Sequence, residues 1–276
     1  MNGIVTIIVT AIFAGCSLNS IADEPITVAV IGTGDMGGSL GPKLSEAGYR
    51  IIYGSRDPSR SSIQELIAQT KNQASATTQK EAAQQAAIVL LAIPWPAMEQ
   101  VAQNLGNLDG KVVIDISTPS RQAADGYMES IVATSSAELI QQWNPGARVV
   151  KTILAGSAVI DDPNILGEPV STHIAADDRE AKEIVAKIVA ELGLDPVDAG
   201  PLRLSGAIEA QALLYMTPYL QHRSVGYEII LRRSNFWTCI WPDGWGRPPV
   251  TDAENLAVFP QPETSLPPCS SYLSNP

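Results

Sequence analysis

Two short runs of this chain carry residue types suited to holding phosphate. Gly32-Thr33-Gly34-Asp35-Met36-Gly37 has the spacing G-x-G-x-x-G. The first glycine permits a tight turn, the second lets backbone approach a pyrophosphate, and the third lets the next helix pack closely on the preceding strand. A helix starting there offers free N–H groups and the positive end of its dipole to an anion. The second run is Gly54-Ser55-Arg56-Asp57-Pro58-Ser59-Arg60. It lies about twenty residues on, where an NAD-binding chain places a carboxylate for the ribose 2′-hydroxyl. Here a serine hydroxyl and two guanidiniums stand instead, a donor set that fits a 2′-phosphate. The chemistry implied is NADP(H) binding, with Ser55, Arg56 and Arg60 on the 2′-phosphate.

The elements that must position these residues follow from patterning. Ile26–Ile31 is short, apolar and β-branched between Pro25 and Gly32, which predicts a buried parallel strand. The helix after the glycines contains Pro42, which predicts a kink or a shortened helix. Arg50–Tyr53 is the second strand, and Asp57 is expected to cap a helix over Pro58–Gln69. Further strands are expected over Ala74–Thr77, Ile88–Ile93, Lys111–Ile116, Arg148–Ile153, Thr172–Ala176 and Leu194–Val197. Thr78 and Glu81 form a capping box for one helix, and Asp178–Leu192 is an amphipathic helix. The alternation predicts a Rossmann-type, doubly wound α/β fold with a mostly parallel sheet, C-terminal helices and an irregular tail. Ligands of such sheets bind beyond the carboxyl ends of strands, which adds Ile93, Pro94 and Ser117 to the candidate site. Ser120–Pro145 is a polar insertion with one helix, Ala137–Trp143, capped by Ser135 or Ser136. Ser205–Arg232 is a mostly apolar helical region broken at Pro218.

The stretch IGTGDMGGSLGPKLSEAGYRIIYGSRDPSR, residues 31–60, resembles the start of the coenzyme F420-dependent NADP oxidoreductase family, which includes the N-terminal domains of the STEAP metalloreductases. Leu91-Ala92-Ile93-Pro94-Trp95 and Val197-Asp198-Ala199-Gly200-Pro201-Leu202 are similar to later segments of that family, and the likeness runs over residues 26–232. The resemblance implies that Thr33 to Met36 hold the pyrophosphate, that Ser55, Arg56 and Arg60 hold the 2′-phosphate, and that backbone near Ile93 lines the nicotinamide side. It also implies F420 or a flavin as co-substrate, and a homodimer contact through the C-terminal helices. One departure is Lys151-Thr152-Ile153-Leu154-Ala155-Gly156, where the family often reads Lys-Ala-Phe-Asn-Thr. That segment faces the second substrate in the family, so the acceptor stays open.

Composition narrows the classes. At 276 residues and 45% hydrophobic, the chain can bury one sizeable core. A net charge of −11 with no Lys/Arg cluster argues against nucleic acid as a partner. Residues 1–24 read as a leader, 25–232 as the nucleotide-binding domain and 233–276 as a Pro- and Trp-rich tail. Ile4–Ala14 followed by Ser20-Ile21-Ala22 resembles an export signal, and Phe13-Ala14-Gly15-Cys16 resembles a lipobox that would make Cys16 a lipid anchor. Against both, no basic residue precedes Lys43. Export implies an oxidising compartment; otherwise the chain is cytoplasmic. Cys239 and Cys269 then either pair or remain free thiols. There is no C-x-x-C motif, and with only His173 and His222 no metal constellation. His173 sits in an apolar strand and reads as a core histidine.

No Ser/His/Asp set, paired carboxylates or G-x-S-x-G elbow emerges, which weighs against a hydrolase. Hydride transfer depends on proximity and orientation, so it fits this inventory. The leading expectation is an NADP-dependent oxidoreductase acting on a small-molecule electron acceptor, a deazaflavin, flavin or related ring. Two alternatives stand: a β-hydroxyacid or imine reductase, for which Lys151 is the sole candidate base near a strand end, and an NADP(H)-binding module without turnover. An exported chain would meet little NADPH, which favours the module.

Overall fold

The computed structural model describes residues 24–223, 227–246 and 266–273. The leader with Cys16, and the tail between 247 and 265, lie outside the described residues. In chain order the first half comprises β1 (Thr27–Ile31), α1 (Asp35–Glu46), β2 (Arg50–Ser55), α2 (Ser61–Gln69), β3 (Ser75–Thr78), α3 (Gln79–Gln85), β4 (Ile88–Leu91), α4 (Met98–Asn104) and β5 (Val112–Asp115). The second half comprises β6 (Ser120–Gln122), β7 (Met128–Ser130), α5 (Ser136–Trp143), β8 (Arg148–Thr152), α6 (Ser157–Asp161), β9 (Ser171–Ala175), α7 (Arg179–Glu191), β10 (Asp195–Gly200), α8 (Ser205–His222), α9 (Phe236–Ile240) and α10 (Ser270–Leu273).

Eight strands form one sheet in the order β3-β2-β1-β4-β5-β8-β9-β10. The first six run parallel, β9 is antiparallel to β8, and β10 is parallel to β9. The order reverses between β1 and β4, which creates a crevice beyond their carboxyl ends. Register aligns that edge: Gly54, Ile31, Leu91, Asp115 and Lys151 form one row across five strands. Whatever follows each of these residues therefore emerges side by side.

Both faces of the sheet are covered, which explains the continuous apolar runs of β1 and β4. Leu40 and Leu44 of α1 and Val185, Ile188 and Val189 of α7 pack on one face. Ala82 and Ala83 of α3, Met98 of α4 and Ile140 of α5 pack on the other. The Thr78–Glu81 capping box is present, and Ser135 and Asp178 cap α5 and α7.

Four expectations need correction. The first helix is not shortened at Pro42; α1 continues to Glu46 because Leu40 and Leu44 on either side of the proline are buried. Asp57 does not cap the second helix, which starts at Ser61 with Arg60 as its N-cap. Instead Asp57 Oδ1 accepts bonds from the Ser59 N–H (3.1 Å) and hydroxyl (2.6 Å), closing a turn before the helix. The insertion after β5 holds a two-stranded antiparallel hairpin, β6–β7, besides its helix. Finally, α8 passes through Pro218 without a break and ends at His222 with Arg223 in the left-handed region, so Ile229 is not helical. The Ile229 carbonyl accepts from the Ser171 N–H at 2.7 Å, laying this segment along β9. In the tail, Cys239 and Cys269 form a disulfide that joins α9 to the turn before α10.

Candidate functional site

The glycine run begins where β1 ends. Gly32 has φ +103°, and a Cβ there would lie 2.3 Å from the Ala92 carbonyl oxygen and 2.7 Å from Ile93 Cγ2. The turn is thus pressed against the end of β4, where only glycine fits. A Cβ on Gly37 would lie 2.0 Å from the Gly32 oxygen, so α1 packs directly on the turn. Gly34 differs. A Cβ there meets nothing within 4 Å, and its φ of −79° is open to any L residue. Its smallness has no structural cause inside the protein and leaves room for a ligand. Gly34 is also the N-cap of α1 and supplies no side-chain bond to the first-turn N–H groups. Gly34 and Asp35 are exposed, and Thr33 and Met36 half-buried, around that helix end. The open space and the unmet donors fit the phosphates of a dinucleotide.

At the end of β2, the Ser55 hydroxyl donates to the Asp57 carbonyl (3.1 Å) and accepts from the Asp57 N–H (3.2 Å). Bonds from Ser59 hold the Asp57 carboxyl below the usual carboxylate range, with the Arg60 charge a lesser cause. Arg56 and Arg60 are exposed beside it, and neither is in a salt bridge among the described residues. Two exposed guanidiniums, of which only Arg60 has a nearby carboxylate, that of Asp57, suit an added dianion. Ile93 is half-buried and Pro94 exposed at the end of β4. Ser117, beyond β5, is buried, and its N–H (2.9 Å) and hydroxyl (2.7 Å) both bond Asp115 Oδ1. Its hydroxyl is turned inward, so only its backbone position reaches the edge.

That inward bond belongs to a cluster the sequence did not reveal. Lys151, with no exposed surface, lies 2.9 Å from Asp115 Oδ2, 3.0 Å from Glu209 Oε1 and 2.8 Å from Ser136 Oγ, and it also donates to the Ser117 carbonyl. Ser136 Oγ is within bonding distance of Asp115 Oδ2 and Glu209 Oε1 as well. The cluster ties β5, β8, α5 and α8 together under the site. With its donors committed, Lys151 is not placed to polarise a substrate carbonyl. The one available signal was Glu209, a lone acid in the otherwise apolar start of α8.

Beside this edge lies a cavity of about 430 Å³. Its wall comes from Thr118 after β5, Ile153 to Gly156 after β8, Ser171 and His173 of β9, one face of α8, and Tyr227 to Ile229. The segment that departs from the family pattern thus supplies part of the wall, although Lys151 and Thr152 do not. His173 is not a core residue. It is half-buried against the cavity, and burial lowers its imidazole pKa despite the opposing influence of Gln211 and of the Asp195 charge. The Tyr215 hydroxyl is pushed up, chiefly by burial and also by Glu228. Gln211, Tyr215 and Glu228 carried no distinguishing pattern in sequence. Phe236, Trp237 and Trp241 pack on one another and are not among the lining residues. Among the described residues no group of three or more His, Cys, Asp or Glu could hold a metal, and no helix is long and apolar enough to cross a membrane.

The model of the family described as NADP oxidoreductase, coenzyme F420-dependent, matches residues 27–119. The F420-dependent NADP reductase of Methanothermobacter thermautotrophicus is 26% identical over 213 residues, covering 71% of this chain and 90% of that protein. Metalloreductase STEAP3 of Rattus norvegicus is 26% identical over 197 residues, 70% of this chain and 38% of that protein. The chain therefore spans well under half the length of the STEAP relative. A solved structure from Arthrobacter sp. FB24, assigned as an F420-dependent NADP-reductase, superposes with a TM-score of 0.67 at 23% identity, over 75% of this chain and 99% of its own. It shares the fold.

Proposed function

From the match of residues 27–119 to the coenzyme F420-dependent NADP oxidoreductase family, we propose that this protein moves hydride between NADP(H) and a planar acceptor seated in the cavity. The acceptor is a deazaflavin of the F420 type, a flavin or a related ring. The observation that carries this reading is adjacency: Ser117 stands at the carboxyl edge that frames the nucleotide crevice, and its neighbour Thr118 lines the cavity.

In this proposal Gly32 to Gly37 and the first turn of α1 hold the pyrophosphate, and Arg56 and Arg60 hold the 2′-phosphate. Ile93, Pro94 and the backbone at Ser117 line the nicotinamide end. Bound there, the nicotinamide would supply or take up two electrons as hydride. The protein's own part is to hold two rings in register and keep water away, which requires no acid–base residue for the hydride itself. The apolar wall of Ile153, Leu154, Ile208 and Ile229, with Tyr215, suits a flat conjugated ring. The Cys239–Cys269 disulfide supports an oxidising compartment, which, being poor in NADPH, favours the binding-module alternative.

The test is turnover by the purified protein with NADPH and, in turn, F420, FMN and FAD. Oxidation of NADPH with any of them supports the proposal. Tight NADPH binding with no turnover of any acceptor would favour the binding-module reading.

A further inference from the structure

We propose that His173 is the proton-exchanging group of the acceptor cavity, accepting a proton from the reduced acceptor as hydride leaves it and returning one in the reverse direction. This rests on the proposed function, and it names a role that hydride transfer alone does not require.

In β9, Ser171, Thr172, Ile174 and Ala175 are buried, and His173 alone is half-exposed. Alternation turns its side chain away from the neighbours packed into the core, and the cavity is what it meets. Gln211 of α8 is another residue of the same wall, and its influence on the ring opposes that of burial.

Titratable groups approach the ring from three neighbouring segments. From β10, Asp195 acts on the ring through its charge, but that carboxylate already accepts from Ser171 Oγ (3.0 Å) and pairs with Arg233 (3.2 Å). From α8, Tyr215 faces the cavity with its hydroxyl pushed up by burial. From the segment after α8, Glu228 is pushed up, also by burial. Among the described residues, no lysine or arginine lines the cavity. His173 is thus the lining group whose ordinary range brackets neutrality. Burial outweighs Gln211 and Asp195 and keeps the imidazole neutral at pH 7, which makes it a proton acceptor there.

The step balances as follows. In a reduced deazaflavin, the ring C–H bond breaks with both its electrons, which pass as hydride to an oxidised nicotinamide. The N–H bond of the same ring breaks, its electron pair stays in the conjugated system, and its proton goes to the His173 imidazole and then to water. The acceptor is oxidised by two electrons and the nicotinamide is reduced by two. An N-alkylated dihydronicotinamide gives up hydride and no proton, so it does not call on His173.

That contrast supplies the experiment. Rates of NADP⁺ reduction are measured between pH 5 and 8 with reduced F420 and, separately, with 1-benzyl-1,4-dihydronicotinamide, on the wild type and on His173→Gln. In the wild type the F420 rate should fall as pH drops through the imidazole pKa, while the benzyl donor shows no such inflection. His173→Gln should lose roughly 100-fold or more with reduced F420, a far larger loss than with the benzyl donor. Independently of turnover, the imidazole NMR resonances missing in His173→Gln should titrate below the ordinary histidine range and shift when oxidised F420 is added. Matching wild-type pH profiles for the two donors would overturn the inference without requiring the variant to fold. Equal losses with both donors, or resonances unmoved by saturating F420, would overturn it too. If the wild type oxidises neither donor, this inference is overturned, and if it also turns over none of F420, FMN and FAD with NADPH, the proposed function fails as well.

Discussion

Lys151 Nζ lies 2.9 Å from Asp115 Oδ2, with neither side chain exposed, and the two residues are partners in the β5–β8 register. The pair therefore sits in the same row of residues that aligns the carboxyl edge of the sheet. Glu209 reaches the ammonium from α8, whose neighbouring residues Ile208 and Gln211 line the cavity. One buried cation thus fixes the crevice edge, through Asp115 and Ser117, relative to the cavity helix.

Lys151→Met should destabilise the fold by about 3–5 kcal/mol, because two buried carboxylates would be left facing each other without a cation. Denaturant unfolding would measure it. A loss below about 1 kcal/mol, no more than an exposed pair gives, would show that the cluster is not structural.

The glycines separate into two kinds. Gly37→Ala drives a methyl to 2.0 Å from the Gly32 oxygen and should lower the melting temperature. Gly34→Ala meets nothing within 4 Å among the described residues and keeps an ordinary φ, so the melting temperature should be unchanged. Its methyl should instead weaken NADPH binding, as calorimetry would detect. Undiminished binding by Gly34→Ala would remove the pyrophosphate from that turn.

The His173 pKa carries a stability consequence of definite sign. Folding lowers it from 6.5. Between the lowered value and 6.5 the unfolded chain binds more protons, so stability rises with pH across that window and falls on acidification. Melting curves from pH 7 to 5 should show this slope in the wild type and a flatter one in His173→Gln. An identical slope in the two would place the proton uptake elsewhere.

How much of this was legible beforehand depended on whether the cause was local. The glycine turn, the apolar strands and the Thr78–Glu81 box are written in short-range patterns, so the parallel sheet and its carboxyl edge could be read directly. Pro42 and Pro218 misled because a proline's cost to a helix is local, whereas the packing of Leu40 and Leu44 that retains α1 is not. The capping role expected of Asp57 failed because its side chain closed a turn with Ser59 instead. Lys151, Asp115, Ser136 and Glu209 are far apart in sequence and carry no shared spacing, so only the fold brings them together. His173 looked like core because its neighbours are apolar; the cavity that exposes it is built by α8 and by the segment at 227–229.

The central claim is that the β2 end selects NADP(H), and isothermal calorimetry of NADPH against NADH, on the wild type and on Arg56→Ala, tests it most directly. One charge-assisted bond to the 2′-phosphate is worth about 1.5–3 kcal/mol, so the wild type should bind NADPH at least roughly ten-fold more tightly than NADH, and Arg56→Ala should lose most of that preference while leaving NADH nearly unchanged. Equal wild-type affinities, or equal losses for the two nucleotides in Arg56→Ala, would contradict the account.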